Sequence, residues 1–374
     1  REEVLDYRTQ HPEFKAQLPD VLRSLPDLHT LKLRRLGHEG FWHTFAPGPE
    51  FQFVAQNISV LHISEPYSAL MKGALAAVST IQALTELRIE VVLSSRSGDN
   101  GTLEGWDKTR IRTFARLRRL QIEANMGQSA VILDAIVAPN LKDVEVKRDP
   151  ESDPCQYPFS LPEALEPLCN RNASSLRKVY LGLQYFYVPK WYPDRGIPPE
   201  TEPIFLTLTK PLLQLHQLRE LNIYIYPGEH RGPIDVPLPS MLAAWPMLET
   251  LIVEVAIFTP DALRAVVHAC PQLKCLIGKC LSDDFLKLPA ASDQLGGSRR
   301  AVSESTGHGL RQLRLFNATK VDDPADITKI AYFLDELFPR LRLELCVTQD
   351  TYVFRNQENW IPVLLEVVRI SSRT

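Results

Sequence analysis

The sequence predicts an α/β repeat protein, an irregular solenoid of about eleven repeats in which a curved parallel sheet carries helices on its outer side. Two observations lead to this fold class. A large apolar residue followed three and five positions later by two more recurs at an average spacing of about 31 residues. Several of the segments between these motifs have the apolar periodicity of amphipathic helices. A period of about 20 to 50 residues is typical of solenoids, so each motif with its connection is interpreted as one repeat.

Each six-residue motif is predicted to form one short strand. Side chains alternate between the two faces of a strand, so the fourth and sixth motif residues face the core together. The first residue packs from the turn that enters the strand, and the fifth projects from the opposite face. The ninth motif is imperfect because Gly278 takes its last apolar position. The motifs begin at Leu28, Ile58, Leu84, Leu117, Leu141, Leu176, Leu218, Leu248, Leu273, Leu310 and Phe338.

Helices are predicted in connections between strands, because a crossover must return the chain before the next parallel strand begins. The segment TPDALRAVVHACPQ, ahead of the ninth motif, has Thr259 as its N-cap and Pro260 in the first turn. DPADITKIAYFLDELFP, ahead of the eleventh motif, repeats this pattern with Asp323 and Pro324. A third helix is expected in SAVILDAIVAPN, ahead of the fifth motif.

The strings DVLRSLPDLHTLKL and DALRAVVHACPQLKCLI resemble the long, helix-bearing leucine-rich repeats of F-box proteins, over residues 20–348. The resemblance implies a protein-binding leucine-rich-repeat scaffold that is the substrate-recognition part of an F-box ubiquitin-ligase receptor. It implies an intracellular protein, in cytoplasm or nucleus. The F-box itself is not seen, because residues 1–24 lack the Trp-bearing helix of that module. A ubiquitin-ligase adaptor is therefore an expected partner only if an F-box precedes Arg1.

Three segments follow from the solenoid interpretation. Residues 1–24 are expected to form an N-terminal helical cap or the remnant of an upstream module, residues 25–348 the solenoid, and residues 349–374 a C-terminal cap. In regular leucine-rich repeats an Asn or Cys three residues after the last motif leucine ties the turn with backbone hydrogen bonds. Only Asn125 and Cys346 occupy that slot, so we expect an uneven arc.

Composition argues against several functions. The net charge is −3 and the charges are interspersed, so nucleic acid and membrane surfaces are not expected partners. No run of about 18 apolar residues could cross a bilayer. The six cysteines lack the short paired spacing of metal sites and are expected to be reduced, mostly buried thiols. We find no nucleophile elbow, phosphate-binding loop or zinc motif, so the sequence predicts no enzyme, no cofactor and no metal.

A second function class remains open, that of a repeat protein for assembly or secreted recognition, unrelated to ubiquitin. Asn57, Asn100, Asn172 and Asn317 each begin an Asn-x-Ser/Thr triplet. Asn57, however, is expected to open a buried strand, where a glycan would not fit.

The longest interval between motifs, 42 residues from Leu176 to Leu218, contains the aromatic segment QYFYVPKWYPDRGIPPETEP. Its prolines preclude a helix, so a loop is predicted where the strands end. The alternative is that this loop folds back and covers the sheet edge with its own rings. A second loop, from Tyr224 through Tyr226 to residue 238, is expected beside it. Aromatic and basic residues dominate binding hot spots, so the first loop supplies the predicted partner-binding residues Tyr185, Tyr187, Lys190, Trp191, Tyr192 and Arg195.

The fifth motif residues predict the composition of the inner, concave side of the sheet. An apolar strip that a protein or peptide covers is predicted at Tyr180, Tyr224, Ile252 and Ile277. The alternative is a solvated surface on which scattered apolar residues have no partner. The full set of fifth residues is Lys32, His62, Arg88, Gln121, Glu145, Tyr180, Asn222, Ile252, Ile277, Arg314 and Arg342.

Overall fold

The computed structural model describes residues 2–6, 20–22, 24–25, 27–34, 57–92, 111–147, 160–184, 209–226, 238–289, 308–317, 321–347 and 357–372. The chain divides into an N-terminal unit, Arg1–Leu215, and a C-terminal unit, His216–Thr374. Both units are mixed α/β with parallel strands, as the repeat pattern predicts.

The N-terminal unit holds a parallel sheet whose strand order, among the described residues, is β1-β2-β3-β4-β6-β8-β9. Strands β5 and β7 form a separate two-stranded parallel ladder. The strands are β1 (Glu2–Asp6), β2 (Thr30–Arg34), β3 (Val60–Glu65), β4 (Glu86–Val91), β5 (Arg112–Thr113), β6 (Arg119–Glu123), β7 (Ile136–Val137), β8 (Asp143–Lys147) and β9 (Lys178–Gln184).

The C-terminal unit holds four described parallel strands in the order β10-β11-β12-β13. They are β10 (Glu220–Tyr226), β11 (Thr250–Phe258), β12 (Cys275–Leu281) and β13 (Gln312–Leu315).

Helices fill several of the connections. The N-terminal unit has α1 (67–78, with a π-helical turn at Leu70–Ala74), α2 (Met126–Ala135) and α3 (Ser160–Asn172). The C-terminal unit has α4 (Leu238–Leu242), α5 (Pro260–Ala269), α6 (Pro324–Leu337), α7 (Leu343–Cys346) and α8 (Ile361–Ser371). Short 3₁₀ turns lie at Lys210–Gln214, Asp283–Lys287 and Gln357–Asn359.

The helix-start signals in the sequence are confirmed. The Thr259 hydroxyl accepts the Ala262 N–H at 3.0 Å at the start of α5. The Asp323 carboxylate accepts the Ala325 N–H at 2.8 Å at the start of α6. In both helices a proline follows the cap, where the missing N–H breaks no helical bond.

The motif strands pair in register, so equivalent motif residues lie side by side. In the N-terminal unit none of the fourth and sixth motif residues of β2 to β9 is more than 4 % exposed. This confirms that these two positions face the core. The fourth-position row is Leu31, Leu61, Leu87, Leu120, Val144 and Val179, and the sixth-position row is Leu33, Ile63, Ile89, Ile122, Val146 and Leu181.

A ladder of backbone hydrogen bonds ties each strand entry to the next. The carbonyl of the second motif residue accepts the N–H groups of the second and third residues of the following motif. Ser59 O accepts from Thr85 and Glu86 at 2.9 and 3.0 Å, and Glu249 O accepts from Lys274 and Cys275 at 2.8 and 3.1 Å. Backbone hydrogen bonds thus tie consecutive strand entries together, a role that Asn or Cys side chains have in regular leucine-rich repeats.

Asn125 and Cys346, the two residues expected to bond to the backbone of the turn after the strand, have different contacts. Asn125 caps α2 instead, because its side chain accepts the Gln128 N–H at 2.8 Å while the Gln128 side chain returns to the Asn125 N–H. Cys346 does contact the preceding repeat, since its Sγ accepts the Leu313 N–H at 3.4 Å.

The eleventh motif is shifted by three residues from the predicted register, which corrects the predicted strand there. The Leu341 N–H donates to Phe338 O at 3.1 Å, as the Leu273 N–H donates to Cys270 O at 3.0 Å in the ninth repeat. Leu341 is therefore the first motif residue, and the fourth position falls on Glu344, which is exposed. A carboxylate there cannot face the core, and the chain forms α7 instead of a strand.

Both chain ends were expected to form caps. Within residues 1–24, where an N-terminal cap is expected, the described residues form a helical turn at 20–22 and strand β1, which pairs in register with β2 from Glu2–Thr30 to Asp6–Arg34. The edge of β2 offers unpaired backbone groups, and an extended segment satisfies them as a helix cannot. At the other end, α8 packs against α6 and buries Val363 and Val367.

Candidate functional site: the open faces of the two sheets

The open face of each sheet is the one that carries the fifth motif residues, opposite the buried leucine rows. In the N-terminal unit the register places the fifth residues of six repeats next to one another, which confirms the alignment expected from the sequence. Arg88 is exposed, His62 is buried, and the others are half-buried. The row is Lys32, His62, Arg88, Gln121, Glu145 and Tyr180.

Ion pairs cover this open face. Arg88 lies 3.1 Å from Glu123, one strand away. Arg119 lies between Glu86 and Glu145, at 3.7 and 3.8 Å. Because the charges of neighbouring strands compensate one another at short range, the face has mixed polarity without a single-sign field.

His62 is the most deeply buried of these side chains, 7 % exposed, with Nε2 3.3 Å from Glu90 Oε2. Burial lowers the pKa of His62 below its ordinary 6.5, and the nearby Arg88 acts in the same direction, while Glu90 opposes both. Burial and the guanidinium thus outweigh the carboxylate, which favours neutral imidazole at neutral pH.

Tyr180, a predicted partner-binding residue, lies on the open face as expected, but it packs against its own sheet. Lys147 Nζ lies 5.2 Å from the ring centroid, a cation–π distance. A Cβ at Gly182 would come within 3.0 Å of the Tyr180 ring, so the glycine leaves the space that the ring uses. The ring is half-buried and keeps one part accessible.

The open face of the C-terminal unit brings together three predicted residues, Tyr224, Ile252 and Ile277. Asn222, Ile252, Ile277 and Arg314 are paired in register across the four strands. Ile252 is half-buried, but Ile277 is only 6 % exposed. The strip is therefore less accessible at Ile277 than the alternation pattern predicts.

The next row on this open face is Tyr224, Glu254, Lys279 and Phe316. Each directly follows a residue of the inner sixth-position row, which runs Ile223, Val253, Gly278 and Leu315. The Tyr224 and Phe316 rings meet edge to face with centroids 6.2 Å apart. Their strands are separated by β11 and β12, about 14 Å at ordinary strand spacing, so both rings lean inward over the middle strands.

Glu254 lies within this row and has an unusual environment. Its Oε2 is buried and has no hydrogen-bond partner among the described residues. Burial raises the pKa of Glu254 to about 7, and Lys279 acts in the opposite direction. The Oδ1 of Asn222, on the adjacent strand β10, is likewise buried and without a partner. Two acceptors on one face thus lack a donor, although buried polar groups are nearly always paired.

The predicted aromatic loop lies outside the described residues, and its predicted role is untested. This holds for Tyr185, Tyr187, Lys190, Trp191, Tyr192 and Arg195. Tyr226 is the last residue of β10. Of the residues that the structure shows on the open face, Glu254 and Phe316 were not predicted. Glu254 could have been found, because it stands at an outward position of LETLIVEV, two residues beyond Ile252.

The cysteines of the described residues are free thiols. Cys270 Sγ donates to Leu242 O and Trp245 O at 3.5 and 3.4 Å, and burial raises the pKa of Cys270 to about 12. Burial likewise raises the pKa of Cys275 to about 11. In the part of the chain that the structure describes, no group of His, Cys, Asp and Glu side chains has the arrangement of a metal site. Among the same residues, no helix is long and apolar enough to cross a membrane.

Of the Asn-x-Ser/Thr sites, Asn57 differs from the sequence expectation. Asn57 is exposed in a turn ahead of β3, not within a buried strand. Asn172 is buried at the end of α3, and its Nδ2 donates to Leu168 O at 2.9 Å. A glycan on Asn172 is incompatible with this packing.

Comparison with known structures gives distant likenesses. No protein-family model and no curated protein matches the chain. An LRR protein of Leptospira interrogans matches over 91 % of this chain and 81 % of its own, with 12 % identity and a TM-score of 0.29. A protein from Bacteroides fragilis matches over 66 % of both chains, with 13 % identity and a TM-score of 0.31. This chain thus spans just under two thirds of the Bacteroides protein. At such low TM-scores neither likeness bears on function.

Proposed function

We propose that this chain is a leucine-rich-repeat scaffold that binds a protein partner on the open faces of its sheets and on the loops where the strands end. One observation carries the proposal: among the residues that the structure describes, the sheets are parallel, yet the fully buried motif rows lie on one face. Parallel sheets are usually buried on both faces and their strands read as continuous apolar runs. In β8, by contrast, buried Val144 and Val146 alternate with the charged residues Asp143, Glu145 and Lys147.

A one-sided parallel sheet leaves a row of side chains from consecutive repeats for recognition. In the N-terminal unit this surface is polar and internally ion-paired, and in the C-terminal unit it includes apolar and aromatic groups. Mixed polarity with aromatic anchors is characteristic of protein interfaces. The proposed contact residues are those predicted from the sequence: Tyr180, Tyr185, Tyr187, Lys190, Trp191, Tyr192, Arg195, Tyr224, Tyr226, Ile252 and Ile277.

In its finer form, the proposal is that the scaffold is the substrate-recognition part of an F-box ubiquitin-ligase receptor acting inside the cell. The support is the resemblance of the repeats in residues 20–348. In this role the scaffold recruits the target and a tethered ligase performs the chemistry. An assembly or secreted recognition role is the alternative, and recovery of the ligase adaptor together with the tagged protein would separate the two.

Affinity capture from the native cell, followed by identification of the bound proteins, tests the proposal. The open-face variant is Arg88→Ala with Tyr180→Ala, and the loop variant is Trp191→Ala with Tyr192→Ala. The control is Leu365→Ala with Val368→Ala on α8, whose side chains are 52 % and 44 % exposed. We expect the control to capture as much partner as the wild type. The open-face variant should capture at least about tenfold less, because interface hot spots contribute about 2 kcal/mol or more.

The loop variant decides separately whether the aromatic loop contributes to binding or only packs. If the open-face variant retains the same partner as the wild type while remaining folded by circular dichroism, the sheet surface is not the binding site.

A further inference from the structure

The unpartnered acceptors on the open face of the C-terminal unit belong to adjacent strands. Asn222 pairs with Ile252, and Glu254 stands two residues further along the same strand as Ile252. Asn222 and Glu254 are therefore diagonal neighbours on adjacent strands, on the same face. Asn222 Oδ1 and Glu254 Oε2 both lack a hydrogen-bond partner among the described residues. A buried acceptor without a donor costs about 1–3 kcal/mol, more for a charged group, so a donor from outside this chain would relieve that cost.

The surroundings favour a cationic, planar donor. Tyr224 is half-buried and packs edge to face on Phe316, which is 6 % exposed, so a cation that enters this row would lie against aromatic surface. Ile252, which is half-buried, supplies apolar surface beside it, and Ile277 lies next to Ile252 in the same row but is almost fully covered. A guanidinium carries five N–H donors in a rigid fork and stacks on aromatic rings, so it can serve two acceptors at once.

The charged groups facing Glu254 do not already neutralise it. Lys279, from β12, affects Glu254 electrostatically, but the two charged groups make no ion pair within 4.0 Å among the described residues. Arg314, from β13, donates from Nε to Leu345 O of α7 at 2.6 Å, so its guanidinium is already engaged. Tyr224, from β10, brings no charge at neutral pH.

We propose that Glu254 and Asn222 receive an arginine side chain of a protein partner, which inserts beside Tyr224 and Phe316. This deepens the proposed function and rests on it, since it names the chemistry that the open face of the C-terminal unit recognises. The guanidinium supplies the missing donors, and its charge is complementary to the Glu254 carboxylate.

A pair of synthetic peptides tests this inference directly. The first is acetyl-Ser-Leu-Arg-Leu-Ser-amide, and the second carries citrulline in place of arginine, which keeps the shape and removes the charge. Binding is followed through the methyl NMR signals of Ile252 and Ile277 in the full chain. We expect the arginine peptide to shift these signals and to bind at least about tenfold more tightly than the citrulline peptide, because charge-assisted hydrogen bonds are about twice as strong as neutral ones.

Two protein variants localise the effect. Glu254→Gln keeps the shape of the side chain and should lower the affinity for the arginine peptide to that for the citrulline peptide. Asp261→Asn, the same charge change on α5 in the same unit, should leave the affinity unchanged, since Asp261 is exposed and paired with Arg264 at 2.7 Å. Glu254→Gln is expected to fold, because burial already disfavours the ionised carboxyl at this position.

The affinity for the arginine peptide should depend on pH in one direction. Glu254 must be ionised to hold the guanidinium, so affinity should rise as the pH increases from 6 to 8, through its pKa of about 7. Glu254→Gln should abolish this rise. Equal affinity for both peptides, or an unchanged affinity of Glu254→Gln, overturns the inference. Equally tight binding of n-butylguanidinium overturns the assignment to a protein partner.

Capture from the native cell keeps this inference separate from the proposed function. If the open-face variant Arg88→Ala with Tyr180→Ala loses the captured partner but Glu254→Gln retains it fully, the arginine site is wrong and the scaffold function stands. If the wild type captures nothing that the open-face variant loses, the scaffold function itself fails.

Discussion

Gly278 and Phe258 show how one residue compensates for another in this core. Gly278 stands where the ninth motif needs an apolar side chain, and a Cβ there would lie 2.4 Å from the Phe258 ring. The β11–β12 register shifts between Val253 and Ile257, and after this bulge the Phe258 ring packs against Gly278. The Phe258 ring is fully buried and fills the volume that the motif leaves vacant.

Gly278→Ala should therefore destabilise the protein by about 1–3 kcal/mol, because the ring of Phe258 must move within a closed core. The matched control is Gly309→Ala, where the nearest atom to a new Cβ is 4.0 Å away. Thermal unfolding followed by circular dichroism measures both variants. Combining Gly278→Ala with Phe258→Leu should recover part of the loss, since the smaller side chain leaves room for the methyl group. Equal melting temperatures of the two alanine variants would contradict the steric explanation.

Residue-scale features on the open face depend on neighbours from other strands. Ile277 is predicted to be accessible from strand alternation alone, yet it is almost fully covered. Burial raises the pKa of Glu254 to about 7, although nothing within its own strand indicates more than an outward carboxylate. Both properties reflect burial on the open face, where the Tyr224 and Phe316 rings from two outer strands meet with centroids 6.2 Å apart.

At the scale of elements, local chemistry determines where helices begin. Thr259 and Asp323 cap α5 and α6 through hydrogen bonds that span only two or three residues. Such bonds need no tertiary partner, which is why the sequence sufficed to predict both helix starts. The strand predicted at the eleventh motif was wrong because its register depends on contacts with another repeat. Its apolar residues fit the pattern in one register, but backbone bonds to the preceding repeat select another, in which the fourth motif position falls on the exposed Glu344 and no strand forms.

The alternation within a strand gives a sharp prediction for β11. Leu251→Ala should cost about 2–5 kcal/mol, because Leu251 is buried in the fourth-position row. Ile252→Ala, one residue further, should cost about 1 kcal/mol or less, because its side chain lies half-buried on the open face. Urea unfolding of the two variants provides the comparison. Similar losses would mean that the open face is as tightly packed as the core.

At the scale of the whole molecule, a repeat protein is expected to transmit a local defect mainly to neighbouring repeats. In Leu251→Ala, backbone amides of β10, β11 and β12 should therefore lose protection from hydrogen exchange. Those of β2 and β3 should keep theirs under the same native conditions. Amide exchange resolved by mass spectrometry measures both sets in one experiment. A uniform loss of protection along the chain would instead indicate one globally cooperative core.

Sequence periodicity alone determined the parallel α/β class, the two core-facing motif positions, and the helices that carry their own caps. These properties depend on side-chain alternation and on contacts a few residues long, so they can be recognised along the chain. Only the tertiary structure decided the pairing of β1 with β2, the register of the last repeat, and the environment of Glu254. Each of these depends on backbone edges or side chains from distant parts of the chain, whose proximity no local pattern specifies.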